Sequence, residues 1–243
     1  VLKRFQFMII LVVIIFFFSA FVQSSIGFGF ALVAMPLLVN MLGIHIAAPL
    51  VAIAALLIEI VILLRYYEAF NFDVVKHLII AAILGIPIGV LAVRHIESDI
   101  VNKILGIVVI GYALYALFAP SLPELAGKAW AYFFGFIAGI LGGAYNTVGP
   151  PVVIYGNARR WPPDEFKSNL QGFFLVNGLV VIAVHGMSGN LTTDVFQTLI
   201  YGVPGLVLGL AAGFFLSKRI NPDLFRNIVL IALLFLGASL RIL

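Results

Sequence analysis

The chain has 243 residues, 63% of them hydrophobic and only 10% charged. Soluble domains carry roughly 25% charged residues because their surfaces face water, so this composition excludes a soluble protein and sets most of the outer face against lipid. The net charge of +4 is scattered through short loops, which excludes the continuous basic face of a nucleic-acid binder, and the absence of cysteine excludes disulfides, thiol catalysis and Cys-ligated metals.

A helix needs about 20 apolar residues to cross roughly 30 Å of hydrocarbon. The sequence predicts eight such segments, near 5–42, 44–64, 74–93, 101–119, 128–156, 169–187, 195–216 and 224–242. The first follows Val1-Leu-Lys-Arg4 and runs to Leu42, far beyond the apolar core of about 7–15 residues of a signal peptide. Charged and turn residues separate the segments, as at Arg65-Tyr-Tyr-Glu68, Arg94-His-Ile-Glu97, Arg159-Arg-Trp-Pro-Pro-Asp164 and Lys218-Arg-Ile-Asn-Pro-Asp223. No segment alternates with period two, so the spans are helices rather than barrel strands. The expected fold is an all-α polytopic membrane protein with no room for a separate soluble domain.

Two stretches superpose without a gap at an offset of 115 residues, placing Phe21 on Phe136, Gly27 on Gly142 and Pro36 on Pro151. Further on, Gly85-Ile-Pro-Ile-Gly89 falls on Gly209-Leu-Ala-Ala-Gly213 and Arg94–Asp99 on Lys218–Asp223, at an offset of 124. The pattern predicts a 4+4 internal duplication, with a first transmembrane repeat over 1–119, a linker over 120–127 and a second repeat over 128–243. The first segment of each half is longer than a crossing and is interrupted by glycine and polar residues. It is either one discontinuous helix or a re-entrant hairpin of two half-helices. The first form makes the repeats parallel and the second makes them inverted. The distribution of Lys and Arg leans to the hairpin under the positive-inside rule.

A break in a membrane helix frees backbone N–H and C=O groups, which survive only against protein or a water-filled cavity. Secondary transporters often hold their substrate at such breaks, because the freed N–H groups and the positive end of the helix dipole bind an anion. In the first half Gln23, Ser24 and Ser25 precede Gly27 and Gly29. In the second half Gly142 and Gly143 precede Tyr145, Asn146 and Thr147. All ten are candidate substrate-binding residues, and Pro36, Pro150 and Pro151 are candidate structural breaks. Close helix packing is the competing role for glycine, and it is the expected one for Gly85, Gly89, Gly209 and Gly213.

Gln171 and Asn177 on the sixth segment are either substrate contacts or interhelical bonds; about 1.7 turns separate them, so they do not share one face. Glu59 is a candidate proton-coupling carboxylate, or else it snorkels or pairs with Arg65. His185 stands near a span end. Arg159, Arg160 and Lys167 either draw an anion to a vestibule or simply set topology.

The sequence lacks a GxxxxGK[ST] loop, an HExxH motif and a carboxylate cluster, so no enzyme activity, cofactor or metal is expected. The Gly-rich segments ending in proline (Gly27 to Pro36 and Gly142 to Pro151), the small-residue third span with its counterpart, and Lys167-Ser-Asn-Leu-Gln171 leading to Asn177 resemble the TauE/SafE sulfite exporter family, also called the toluene sulfonate uptake permease family. The resemblance covers essentially the whole chain; Phe28 departs from it, where the family usually has a small residue. It implies transport of sulfur-containing anions such as sulfite, sulfonates or sulfoacetate across the bacterial cytoplasmic membrane, often outward. The partners are then a small anion and the lipid bilayer, with a homodimer allowed. A passive anion channel on the same fold is the alternative.

Overall fold

A computed structural model describes residues 2–118, 122–216, 219 and 221–242. Pro120 and Ser121 of the predicted linker and Lys218 of the last predicted loop lie outside the described residues. The described chain is all-helical, running α1 Leu2–Ile26, α2 Phe30–Leu42, α3 Ile44–Tyr66, α4 Phe72–His95, α5 Ser98–Phe118, α6 Lys128–Tyr145, α7 Gly149–Ala158, α8 Pro163–Met187, α9 Thr193–Leu216 and α10 Pro222–Ile242. Among the described residues six helices, α1, α3, α4, α5, α8 and α9, are long and apolar enough to cross a membrane. Side chains such as Leu64, Phe215 and Phe235, at least 70% exposed, cover the outside. Water would not tolerate so apolar a surface, and lipid does.

The first and fifth predicted segments are each two helices. At the first interruption Gly27 and Gly29 take positive φ, 94° and 113°. Glycine reaches this left-handed region without a Cβ clash, and a right-handed helix cannot continue through it. At the second, Asn146 does the same with φ 55°, a conformation asparagine tolerates better than most residues. The prolines do not make the breaks. Pro36 lies inside α2, and Pro150 and Pro151 sit in the first turn of α7, where a missing N–H sacrifices no intrahelical bond. α1 and α6 end 119 residues apart, at Ile26 and Tyr145, as α2 and α7 begin, at Phe30 and Gly149. That is one helical turn from the offset of 115 seen in the sequence. Gly27 therefore stands in a break, whereas Gly142 stands inside α6. The short helices α2 and α7, 13 and 10 residues long, extend about 20 and 15 Å at roughly 1.5 Å per residue. Neither length reaches across the hydrocarbon alone.

The most extensive helix contacts are α4 along α6 and α1 along α9, followed by α5 on α10 and α3 on α8. Backbone meets backbone in the first two. A methyl group on Gly85 would collide with the Phe136 carbonyl, one on Gly89 with that of Ile140, and one on Gly209 with that of Phe17. Gly213 likewise abuts Phe21 and Ser24. These glycines serve close packing, which takes the place of a hydrophobic driving force between helices in lipid. α3 is the most enclosed of the six long spans, and most side chains of α2 and α7 are buried as well.

Candidate functional site

The two interruptions meet. Gln23, Gly29 and Phe30 from the first, and Asn146, Thr147 and Gly149 from the second, line one cavity. Ala55 and Glu59 of α3 and Phe174 of α8 complete its wall. Its volume is about 20 Å³, room for about one water molecule.

The start of α2 gives the cavity its donors. The first N–H groups of a helix have no partner within it. That of Phe30 is taken by Gln23 Oε1 at 2.9 Å, and the first helical pairing is Val33 N–H to the Gly29 carbonyl, 3.2 Å. Between them lie Ala31 and Leu32, which both line the cavity at the positive end of the α2 dipole. The start of α7 differs, because Pro150 and Pro151 carry no N–H. The second break contributes side chains instead. Asn146 Nδ2 donates to the Ala48 carbonyl at 2.6 Å and ties the break to α3. Thr147 is 1% exposed, and its Oγ1 has no hydrogen-bond partner. Opposite stands Glu59, 6% exposed, with Oε2 equally unpartnered. Buried polar atoms are nearly always paired, and an unpaired one costs about 1–3 kcal/mol. Both atoms belong to residues that line one small cavity.

Glu59 does not pair with Arg65. The Arg65 guanidinium lies over the Phe214 ring, 4.8 Å from its centroid, while Glu59 Oε2 faces Gly178 of α8. Lys167 lies over the Tyr66 ring at 5.7 Å, and Arg159 donates to the Leu125 carbonyl at 2.8 Å.

Gln23, Gly29, Asn146 and Thr147 thus come together with Glu59, and the remaining candidates stand around them. Gln171 Nε2 donates to the Gly27 carbonyl, and Asn177 lies against Gly142 with both amide atoms unpartnered. Phe174 of the cavity wall stands near the middle of α8, so the cavity sits at mid-length of that helix. Ser24 turns its hydroxyl back to the Ala20 carbonyl, 2.7 Å away. Ser25 Oγ is buried without a partner, outside the cavity wall. Gly143 is pressed on Ile86 of α4, and Tyr145 donates to the Val101 carbonyl at 2.8 Å. Ala55 and Phe174 carry no polar signal that a sequence would betray. Among the described residues no three His, Asp or Glu side chains converge to hold a metal.

The family model described as "Sulfite exporter TauE/SafE" matches residues 12–240. Among curated proteins the chain is similar to a "Probable sulfite/organosulfonate exporter TauE" of Cupriavidus necator, 22% identical over 230 residues that cover 92% of this chain and 90% of that protein. No solved structure matches the chain. The family is one of transporters rather than enzymes, and its match runs from the middle of α1 to the last turn of α10. The chain belongs to the TauE/SafE sulfite exporter family and is a multi-pass membrane transporter.

Proposed function

We propose that the protein exports small sulfur-containing anions, such as sulfite, sulfonates or sulfoacetate, across the bacterial cytoplasmic membrane, and that each is held at mid-depth between the two breaks. The observation that carries this reading is the shared cavity, lined by the start of α2, by Thr147 with its unpartnered hydroxyl and by Glu59 with its unpartnered Oε2. The amides of Ala31 and Leu32 and the hydroxyl of Thr147 are the donors that the cavity wall offers an anionic group. Glu59 is the coupling group. An anion in the cavity repels an ionised Glu59 and is attracted to a protonated one, which donates its O–H. Anion loading and proton loading therefore favour each other, and proton and anion move together down the outward anion gradient.

At about 20 Å³ the cavity has room for about one water. A sulfite ion needs the two breaks to part, as expected if one half rocks against the other. The two-half reading is supported by the four main helix pairs, which are kept when α1–α5 are exchanged with α6–α10: α4 on α6 becomes α9 on α1, and α5 on α10 and α3 on α8 map onto themselves. Inversion is supported by direction. The glycine contacts make α1 parallel to α9 and α4 parallel to α6. The end of α3 meets the start of α8 through Tyr66 and Lys167, so α3 and α9 run one way and α4 and α8 the other. α1 and α6 are then opposed. The re-entrant hairpin is supported by Phe30 lying back on Phe16, with ring centroids 5.6 Å apart, and by the Leu125 N–H donating to the carbonyl of Ala158 at the far end of α7, 3.3 Å.

Flux from proteoliposomes loaded with sulfite, sulfoacetate or taurine, with and without a pH gradient, tests the proposal. Saturable anion efflux that carries protons with it is expected. Efflux that rises linearly with concentration and ignores pH points to the channel alternative, and no flux of any sulfur anion removes the proposal.

A further inference from the structure

A second, much larger cavity of about 540 Å³ lies beside the first break. Phe28, Tyr112, Tyr115 and Phe166 give it aromatic walls, and Arg226 and Arg160 give it positive charge. The two arginines are not equivalent. Arg160 is exposed and stands 4.0 Å from Glu124, itself more than half exposed. Arg226 is half-buried one turn into α10. Its Nη2 donates to the Ala116 carbonyl at 3.2 Å, and its Nε is buried with no acceptor. A half-buried guanidinium that keeps an unfilled donor is a ready contact for an anion. Its planar fork matches a carboxylate or sulfonate.

We propose that this cavity is a binding site for an organic oxyanion with an apolar body, with Arg226 holding the charged head and the four rings holding the body. Size assigns the ligand class. A cavity of about 540 Å³ falls in the range of roughly 300–1,000 Å³ that takes whole small molecules, whereas the cavity between the breaks holds about one water. Phe28 divides the two. Its ring stands edge-on to Tyr112 at 6.0 Å, and a methyl group on Gly149 of the smaller cavity would touch Phe28 at 3.7 Å. An organic anion therefore rests in the Arg226 cavity on the near side of Phe28. This assignment stands apart from the reading of the two breaks, so either can fail alone.

Titration calorimetry with benzenesulfonate on the full chain in phosphatidylcholine nanodiscs tests it. The unaltered protein is expected to bind. Arg226→Gln is expected to weaken binding about 10- to 100-fold, the effect of losing a charged hydrogen-bond donor, while Arg226→Lys keeps part of the affinity as a point charge. Phe28→Leu leaves the charge in place and is expected to lose about 2- to 10-fold, the worth of one aromatic contact. Absence of binding to the unaltered protein, or equal affinity in Arg226→Gln, overturns the proposal. So does binding that phosphatidylglycerol nanodiscs abolish, which gives the site to a lipid headgroup. Sulfite flux is read separately and reports on the breaks alone.

Discussion

Replacing Thr147 by valine separates a ligand-binding hydroxyl from a structural one. Valine keeps the shape and removes Oγ1, which is buried and makes no hydrogen bond within the protein. A structural hydroxyl would lose about 0.5–1.5 kcal/mol of net stability with its bond. Thr147 has no such bond to lose, so the empty protein is expected to be as stable as before or more stable by up to about 3 kcal/mol, the desolvation penalty that valine escapes. Anion binding changes in the opposite direction. A hydrogen bond to a charged group is worth about 1.5–3 kcal/mol, and at about 1.4 kcal/mol per decade its loss weakens binding roughly 10- to 100-fold. The assay pairs thermal unfolding of the purified protein without anion with sulfite efflux over a range of internal concentrations. Unchanged or raised thermal stability with a raised half-saturation concentration is the expected result. Lowered stability with unchanged efflux would refute the reasoning, because Thr147 would then serve the fold and not the anion.

Three further outcomes are expected. Glu59→Gln retains anion efflux but abolishes its dependence on the pH gradient, as read by a pH dye alongside the flux; co-transport that survives the substitution excludes Glu59 as the coupling group. Gly29→Ala places a Cβ at φ 113° and 3.1 Å from Val22 Cγ1, which costs about 1–3 kcal/mol of strain and lowers the midpoint of thermal unfolding. Gly139→Leu drives a side chain into the Ala82 backbone and separates α6 from α4, so the protein is expected to fail to reach a monodisperse state on size-exclusion chromatography, whereas Gly111→Leu, with open space around it, is expected to behave as the unaltered chain.

The breaks were legible because glycine and polar residues interrupt apolar runs, and nothing in lipid tolerates that without a purpose. Their register was not. Glycine serves both unwinding and close packing, and the sequence does not say which. Gly27 unwinds while Gly142 and Gly143 pack, so the glycine-on-glycine offset of 115 residues and the offset of 119 between the two breaks differ by one turn. The serines misled for a related reason. Ser24 satisfies itself on the Ala20 carbonyl, a bond that local sequence permits as readily as a ligand contact. Glu59 was visible as a lone carboxyl in an apolar span, but its want of a partner was not, since Arg65 is near in sequence and turned toward Phe214. The unequal chemistry of the two breaks follows from Pro150 and Pro151, which read as helix breakers and prove to be helix starters that silence the amides of α7. Arg226 escaped notice because a charge just inside the last apolar segment looks like ordinary topology-setting charge. That its Nε is buried without an acceptor is a three-dimensional fact.

Anomalous diffraction from crystals grown with selenite, a heavier relative of sulfite, tests the central claim most directly. A selenium peak between the start of α2 and Thr147, with the two breaks drawn apart around it, is the predicted result. A peak found only elsewhere, with the cavity beside Gly29 and Thr147 still the size of one water, would contradict the assignment of the anion site to the paired breaks.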